Sequence, residues 1–447
     1  MDLTGDVTID GEFHPKLARL DQTFKPFELI VTPGSITDNG MEALDTVVLD
    51  YEVKPGTYRN LNSVQLHVTP KFDIDGLDDD SRRLAEYLNV MAEGSGSLEW
   101  GETLALIGNM IDTPEIISAL NELGTYGHTD VMRETFNASI RTSRSLSGCD
   151  VETKTVRILE DNTCYWAQVS RFEYEGDPVG ENPGIEYEGS ASLAGRVAAF
   201  TGGKEYAIMT GVETIALTNS DDFSANGKRY LGGAGYKDEI FGFENSINVI
   251  GGLSTFSTSK DIEVSGFLPN GVFVDETTSL LDQNILQFNT NLGTVFHQPI
   301  RRLNLDIRAG VSLDTTFIHG FGAVEKSATN GIDLAPTSQI FFSPIPMLEI
   351  EYGQQVRENV RVEGKLRGEA MATWPNRVFV NGRAHGSNYE DGQFRNYSHL
   401  DKTFNMLSFE GAIIDTDGTI GLNFGYARGF GQNANTSNVE FGLEVKF

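Results

Sequence analysis

The ten residues NVEFGLEVKF (438–447) alternate without a slip, Val439, Phe441, Leu443, Val445 and Phe447 falling against Glu440, Gly442, Glu444 and Lys446. Successive side chains of a strand point to opposite faces, so this stretch is a strand with one apolar and one polar side. The apolar phase runs to a terminal aromatic, where soluble chains usually trail into polar, frayed residues. The same device recurs upstream. In LNLDIRAGVSLDTTF (303–317), Leu303, Leu305, Ile307, Ala309, Val311, Leu313 and Phe317 share a side, opposite Asn304, Asp306, Arg308, Ser312 and Asp314. In VRVEGKLRGEAMATW (360–374), Val360, Val362, Leu366, Ala370 and Trp374 oppose Arg361, Glu363, Lys365, Arg367 and Glu369.

Two further copies, LSFEGAIID and TIGLNFGYARGF, are joined by the tight turn DTDG. YWAQVSRFEYEG, YEGSASLAGRVAAF, YAIMTGVETIAL, FENSINVIGG, DIEVSG and ILQFNTNLGTVF read less cleanly. About twelve strands are expected from residue 162 onward, and ten residues tilted by about 45° span roughly 24 Å, close to the apolar band of an outer-membrane barrel. Short connections such as TGGK and HQPIRR alternate with long ones such as HGFGAVEKSATNGIDLAP. Barrels of that class pair short periplasmic turns with long outer loops.

Alternation alone does not separate a membrane barrel from a soluble sandwich, which buries the apolar face instead. Phase held over eleven or more residues exceeds the usual soluble strand of about five or six, and apolar edge strands aggregate unless the sheet closes. A closed barrel is therefore expected, with its charged rows, Asp306, Arg308, Asp314, Arg361, Glu363, Lys365, Arg367 and Glu369, lining the lumen.

The rest of the chain divides in two. Residues 1–77 carry short strands, GDVTIDGEF, FELIVTPGSI, TVVLDYEV and NSVQLHVTPKF, punctuated by Gly, Pro and Asn. Residues 78–161 turn helical. DDDSRRLAEYLNVMA sets a stripe of Leu84, Tyr87, Leu88 and Met91 behind a cap at Asp80 or Ser81, and TPEIISALNELGTY offers Thr113 as a cap with Pro114 in the first turn. GHTDVMRETFNASIRTSRSL is polar on nearly every face.

Composition narrows the function classes. The formal net charge is -30, from 64 acidic and 34 basic residues, which repels nucleic acid and anionic lipid surfaces. No uncharged apolar run is long enough for a membrane-spanning helix, which leaves a barrel open. MDLTGDVTIDGEFHP lacks a signal peptide, so the chain is expected either to be cytoplasmic or to lack its natural N-terminus. Cys149 and Cys164 are either a disulfide, worth roughly 3 kcal/mol by loop entropy in an oxidising compartment, or two separate thiols. The seven histidines show no metal spacing, no Gly-x-Ser-x-Gly elbow or phosphate loop is present, and the acidic run DGLDDD reads as solvated rather than as a calcium site. Neither cofactor nor enzyme activity is expected.

On these residues the chain resembles the C-terminal region of the monomeric autotransporters, the type V secretion family. SRRLAEYLN and PEIISALNELGTY are similar to the family's linker helices, YWAQVSRFEYEG to a first barrel strand opening on Trp166, and the phased end at Val439, Phe441, Leu443, Val445 and Phe447 to the signal read by the barrel-assembly machinery. The resemblance implies a mainly β fold: the last β-helical rungs and autochaperone cap of a passenger (1–77), a linker helix, and a twelve-stranded outer-membrane barrel (162–447) plugged by that helix. Residues 129–147, roughly 28 Å long at 1.5 Å each, would thread the pore, with Arg133, Glu134, Asn137, Arg141 and Arg144 meeting the charged wall. The partners implied are outer-membrane lipid, the barrel-assembly machinery, periplasmic chaperones and the chain's own passenger, displayed at the surface of a Gram-negative cell. Some relatives cut off the passenger at a linker asparagine. Asn137 is the candidate here, although the usual Asn pair is missing. A porin-like barrel with a soluble N-terminal module, and a secreted β-rich adhesin, are the alternative readings.

Overall fold

The structure, a computed structural model, describes all residues except 1–3, 21–22, 24, 95–97, 144–145, 147–162, 179–183, 201–203, 220–221, 329, 388–391, 416–419 and 447. The N-terminal part opens with a parallel pair, β1 (Val7–Phe13) on β3 (Ile36–Ala43), and an antiparallel sheet in the order β2 (Phe27–Thr32), β5 (Leu61–Pro70), β4 (Leu49–Tyr58). Three helices follow, α1 (Asp79–Glu93), α2 (Leu98–Gly108) and α3 (Thr113–Glu122).

The expected stripe of α1 is present, with Leu84, Tyr87, Leu88 and Met91 all buried. Its cap is not Asp80 or Ser81 but Asp78, whose carboxylate accepts from the N–H groups of Asp80 (3.0 Å) and Ser81 (2.7 Å). Those two side chains are engaged elsewhere: Asp80 accepts the Tyr397 N–H at 2.9 Å, and Ser81 Oγ donates to Asn121 at 2.7 Å. The cap of α3 is likewise Asp112 rather than Thr113, with no side-chain bond, and Pro114 sits in the first turn. Part of the acidic run 75–80 is thus a helix N-terminus, where carboxylates complement the helix dipole.

Helices α1–α3 share one core with the N-terminal sheet. Leu49, Val68 and Phe72 pack with Leu84, Leu88, Trp100 and Leu120. Ile332, Ala384 and Phe394, from the long connections of the barrel, belong to the same cluster. Only the fourth helix, α4 (Tyr126–Ser143), leaves this core.

The remaining chain closes on itself. Twelve antiparallel strands form the barrel: β6 (Thr163–Gly176), β7 (Ile185–Phe200), β8 (Lys204–Asn219), β9 (Phe223–Ile240), β10 (Phe243–Ile262), β13 (Thr277–Ile300), β14 (Leu305–Gly320), β16 (Thr337–Arg357), β17 (Val360–Ala372), β20 (Thr403–Asp415), β21 (Ile420–Gly431) and β22 (Ala434–Lys446). The last strand pairs with the first, from Ala434 opposite Gly176 to Lys446 opposite Cys164, so no sheet edge is left open. One end of the barrel carries tight turns, such as Phe241–Gly242 with both residues at positive φ, as a two-residue hairpin of this hand requires. The other carries long connections that fold in their own right: a hairpin of β11 (Gly266–Phe267) and β12 (Phe273–Val274), and a sheet of β15 (Ile332–Ala335), β18 (Arg377–Ala384) and β19 (Phe394–His399).

The faces separate as a membrane requires. Val169, Ile208, Leu292, Leu348, Leu366, Phe409, Leu422 and Phe441 are exposed on the outside, Phe441 to 60% and Leu422 to 58%. The opposite registers hold buried Glu213, Arg229, Arg308, Asp314 and Glu349. A soluble sandwich would show the reverse.

Candidate translocation pore

Helix α4 lies inside the barrel and is buried over almost its whole length. It approaches β9, β10, β13 and β14 on one side and β18 and β19 above. Its sequence reads as polar all round, yet Val131, Met132, Phe136 and Ile140 form a stripe that packs on Phe172, Ile250, Ile318 and Phe341 of the wall. Burying four such side chains stabilises the seating by roughly 1.5–3 kcal/mol each. The interior is therefore apolar in part, beside the charged rows that line it.

The polar face of α4 meets a charged quartet. Arg229 of β9, fully buried, donates to Glu134 of the helix (Nη1 to Oε1, 3.2 Å) and to Glu213 of β8 (Nη1 to Oε2, 2.6 Å), and its Nε donates to Ser254 Oγ at 2.9 Å. Arg141, from the helix, reaches Glu213 at 3.2 Å and Glu134 at 3.6 Å, with its guanidinium 3.5 Å from the centre of the Phe172 ring. Two acids and two bases, one of each from helix and wall, thus neutralise one another out of water. Arg133 pairs with Asp130 at 3.1 Å, and Asn137 donates to the Tyr187 hydroxyl at 3.1 Å. That Asn137 amide is held by a wall tyrosine, and the described contacts place no acid or base on it. Ser143 donates to Asp314 at 3.2 Å, closing the helix onto β14. Arg144 and Cys149 lie outside the described residues, as does the side chain of Cys164.

A second cluster centres on Glu349 of β16. Arg308 approaches it at 3.5 Å, Lys365 at 3.3 Å and Arg367 at 3.5 Å, and Arg308 also reaches Glu244 at 2.9 Å and Glu351 at 3.3 Å. Arg367 donates to Glu369 at 2.7 Å, Arg361 pairs with Glu363 at 2.6 Å, and Asp306 stands 3.7 Å from His297. All eight residues of the expected charged rows line the interior. Sequence reasoning missed Arg229, Glu213, Glu244 and Glu349. Glu213 was findable, as a charge in the register opposite Tyr206 and Ile208; Arg229 lies in a glycine-rich strand without an apolar rhythm.

Because α4 sits against one side, space remains beside it. A cavity of about 890 Å³ runs from Asn304 at the tight-turn end, past Lys365 and Glu410, to Leu400 and Asp401 below the long connections. At the closing strand, Val439, Phe441 and Leu443 point outward at 39%, 60% and 45% exposure. Val445 is paired with Tyr165 and Ile420, its side chain lying, like all of Phe447, outside the described residues.

The described architecture, a twelve-stranded barrel around one helix, has a solved counterpart. The translocator domain of the autotransporter NalP from Neisseria meningitidis superposes with a TM-score of 0.54 at 11% identity, over 72% of this chain and 100% of that one. This is the fold of an autotransporter translocator domain. The β domain of the Bordetella autotransporter BrkA (12% identity, 64% of this chain and 100% of that one, TM-score 0.41) and the transport unit of the Escherichia coli autotransporter AIDA-I (11%, 69% and 97%, 0.42) are also similar. No family model and no curated protein sequence matches the chain.

Proposed function

We propose that this chain is the outer-membrane translocator of an autotransporter, exporting its own N-terminal passenger through the barrel and displaying it at the surface of a Gram-negative cell. The observation that carries the proposal is the path of the backbone: the N-terminal module continues through α4 into the barrel bore, while the apolar residues of the wall face outward. Only a helix or a closed barrel satisfies its backbone within lipid. Among the described residues no helix is long and apolar enough to cross, so the strands are the spanning elements. The chain would meet outer-membrane lipid through that wall, and periplasmic chaperones and the barrel-assembly machinery through the phased strand β22.

The chemistry required is transport rather than bond making. Arg133, Glu134, Asn137 and Arg141 would hold the helix once export is complete, Asn137 through its bond to Tyr187. Protease added to intact cells expressing the chain should remove the module before residue 78 and leave 129–143 intact, and the barrel should migrate faster on gels unless boiled. Recovery of the whole chain in the soluble fraction would overturn the reading.

A further inference from the structure

One seam of the barrel wall is interrupted. Pairing of β16 with β17 runs from Arg357 opposite Val360 to Met347 opposite Glu369 and stops there, although β16 continues to Thr337, bonded to β14 throughout. Above the break a single bridge remains, in which Phe342 and Trp374 exchange N–H to C=O bonds of 2.7 and 2.9 Å. The bonding side alternates along a strand, so Pro344 and Pro346 turn their nitrogens toward β17 as Phe342 does. Proline has no N–H to donate. The facing carbonyls of Ala370 and Ala372 therefore lose their ladder donors. Among the described residues the other seams run without interruption.

An unmet backbone carbonyl in lipid costs several kcal/mol. Here water can reach from inside, because Glu369, Met371 and Thr373 line the cavity beside α4. The break also stands where that cavity ends, at the level of Leu400 and Asp401. A second chain segment moving beside α4 meets its obstruction next to the least bonded line of the wall.

We infer that the β16–β17 seam is an expansion joint: it parts at Pro344 and Pro346 to widen the bore while passenger segments pass, and the Phe342–Trp374 bridge recloses it. The inference rests on the export reading. Inside the seam, Ser343 Oγ and Thr373 Oγ1 are buried and 3.3 Å apart, which suits a reversible staple. In the full chain, in a Cys149→Ser, Cys164→Ser background, Ser343→Cys with Thr373→Cys should reduce surface exposure of the N-terminal module at least tenfold under oxidising growth. Reductant should restore it, and each single cysteine should behave as the background.

Equal export by stapled and reduced protein would overturn the joint. Absence of the module outside cells for the unsubstituted chain would instead overturn the export reading itself. Pro344→Val with Pro346→Val decides independently of disulfide formation. Restoring both donors should raise the temperature at which the barrel loses its compact gel mobility and slow export several-fold, whereas higher stability with unchanged export, or no change in either, would refute the proposal.

Discussion

Arg229 shows how much a single residue decides in this bore. It is fully buried between Glu134 and Glu213, and taking its charge away leaves two carboxylates sharing Arg141. Breaking a buried pair by removing one partner costs about 3–5 kcal/mol, whereas removing both partners is often near neutral. Arg229→Met should therefore lower stability by about that amount in denaturant titrations of the detergent-solubilised barrel, and adding Glu134→Gln should recover a measurable part. At Gly127 two effects oppose each other. Alanine would favour the helix by about 1 kcal/mol, but a Cβ there would stand 2.2 Å from the Phe223 ring, and overpacking costs about 1–3 kcal/mol. The steric effect is the larger, so Gly127→Ala should destabilise α4 docking, read as faster proteolysis within 126–143. Neither residue was marked in the sequence, because Arg229 matters through Glu134, and Gly127 through Phe223, each roughly a hundred residues away along the chain.

At the scale of elements, legibility followed the contrast between faces. β14, β17 and β22 could be read directly because large apolar side chains alternate with charges, and β21 because they alternate with glycine, asparagine and alanine. β9 could not, since SANGKRYLGGAGYK places glycines in both registers, and β16 was hidden by two prolines that a central strand excludes. The loop between β14 and β15 is held by another feature without a sequence signature. The Glu325 carboxylate accepts the N–H groups of Leu280 (3.0 Å), Ser327 (2.9 Å) and Ala328 (3.1 Å) as well as the Ser279 hydroxyl. Burial pushes this carboxyl up, but the bonds from Ser279, Ser327, Leu280 and Ala328 outweigh it and leave it below its ordinary value of 4.5. A depressed carboxyl stabilises above its unfolded value and loses that contribution as pH falls through the folded one. Protection of the 326–331 amides against hydrogen exchange, corrected for intrinsic rates, should thus hold steady from pH 7 to about 4.5 and fall below it. Glu325→Gln should show the weaker protection at every pH.

Across the whole molecule the deciding quantity is which way the apolar face points, and here the alternation alone was silent on principle, since a sandwich and a membrane barrel share it; the length of the phased runs argued for the barrel. Closure of β22 on β6, with Phe409, Leu422 and Phe441 turned outward, resolves what periodicity leaves open. The same logic inverts the usual rule for surface substitutions. On a soluble protein, an exposed apolar residue changed to arginine is within about ±0.5 kcal/mol of neutral. On a wall facing lipid, arginine costs about 2–4 kcal/mol at mid-depth and about 0–1 near the interfaces. Leu366→Arg, at an outward position well inside β17 and 45% exposed, should therefore destabilise the vesicle-inserted barrel by about 2–4 kcal/mol. Phe430→Arg, near the end of β21, should cost about 1 kcal/mol or less. Reversible denaturant unfolding from vesicles gives both values, and equal, near-zero effects at the two positions would mean that water, not lipid, covers the apolar wall.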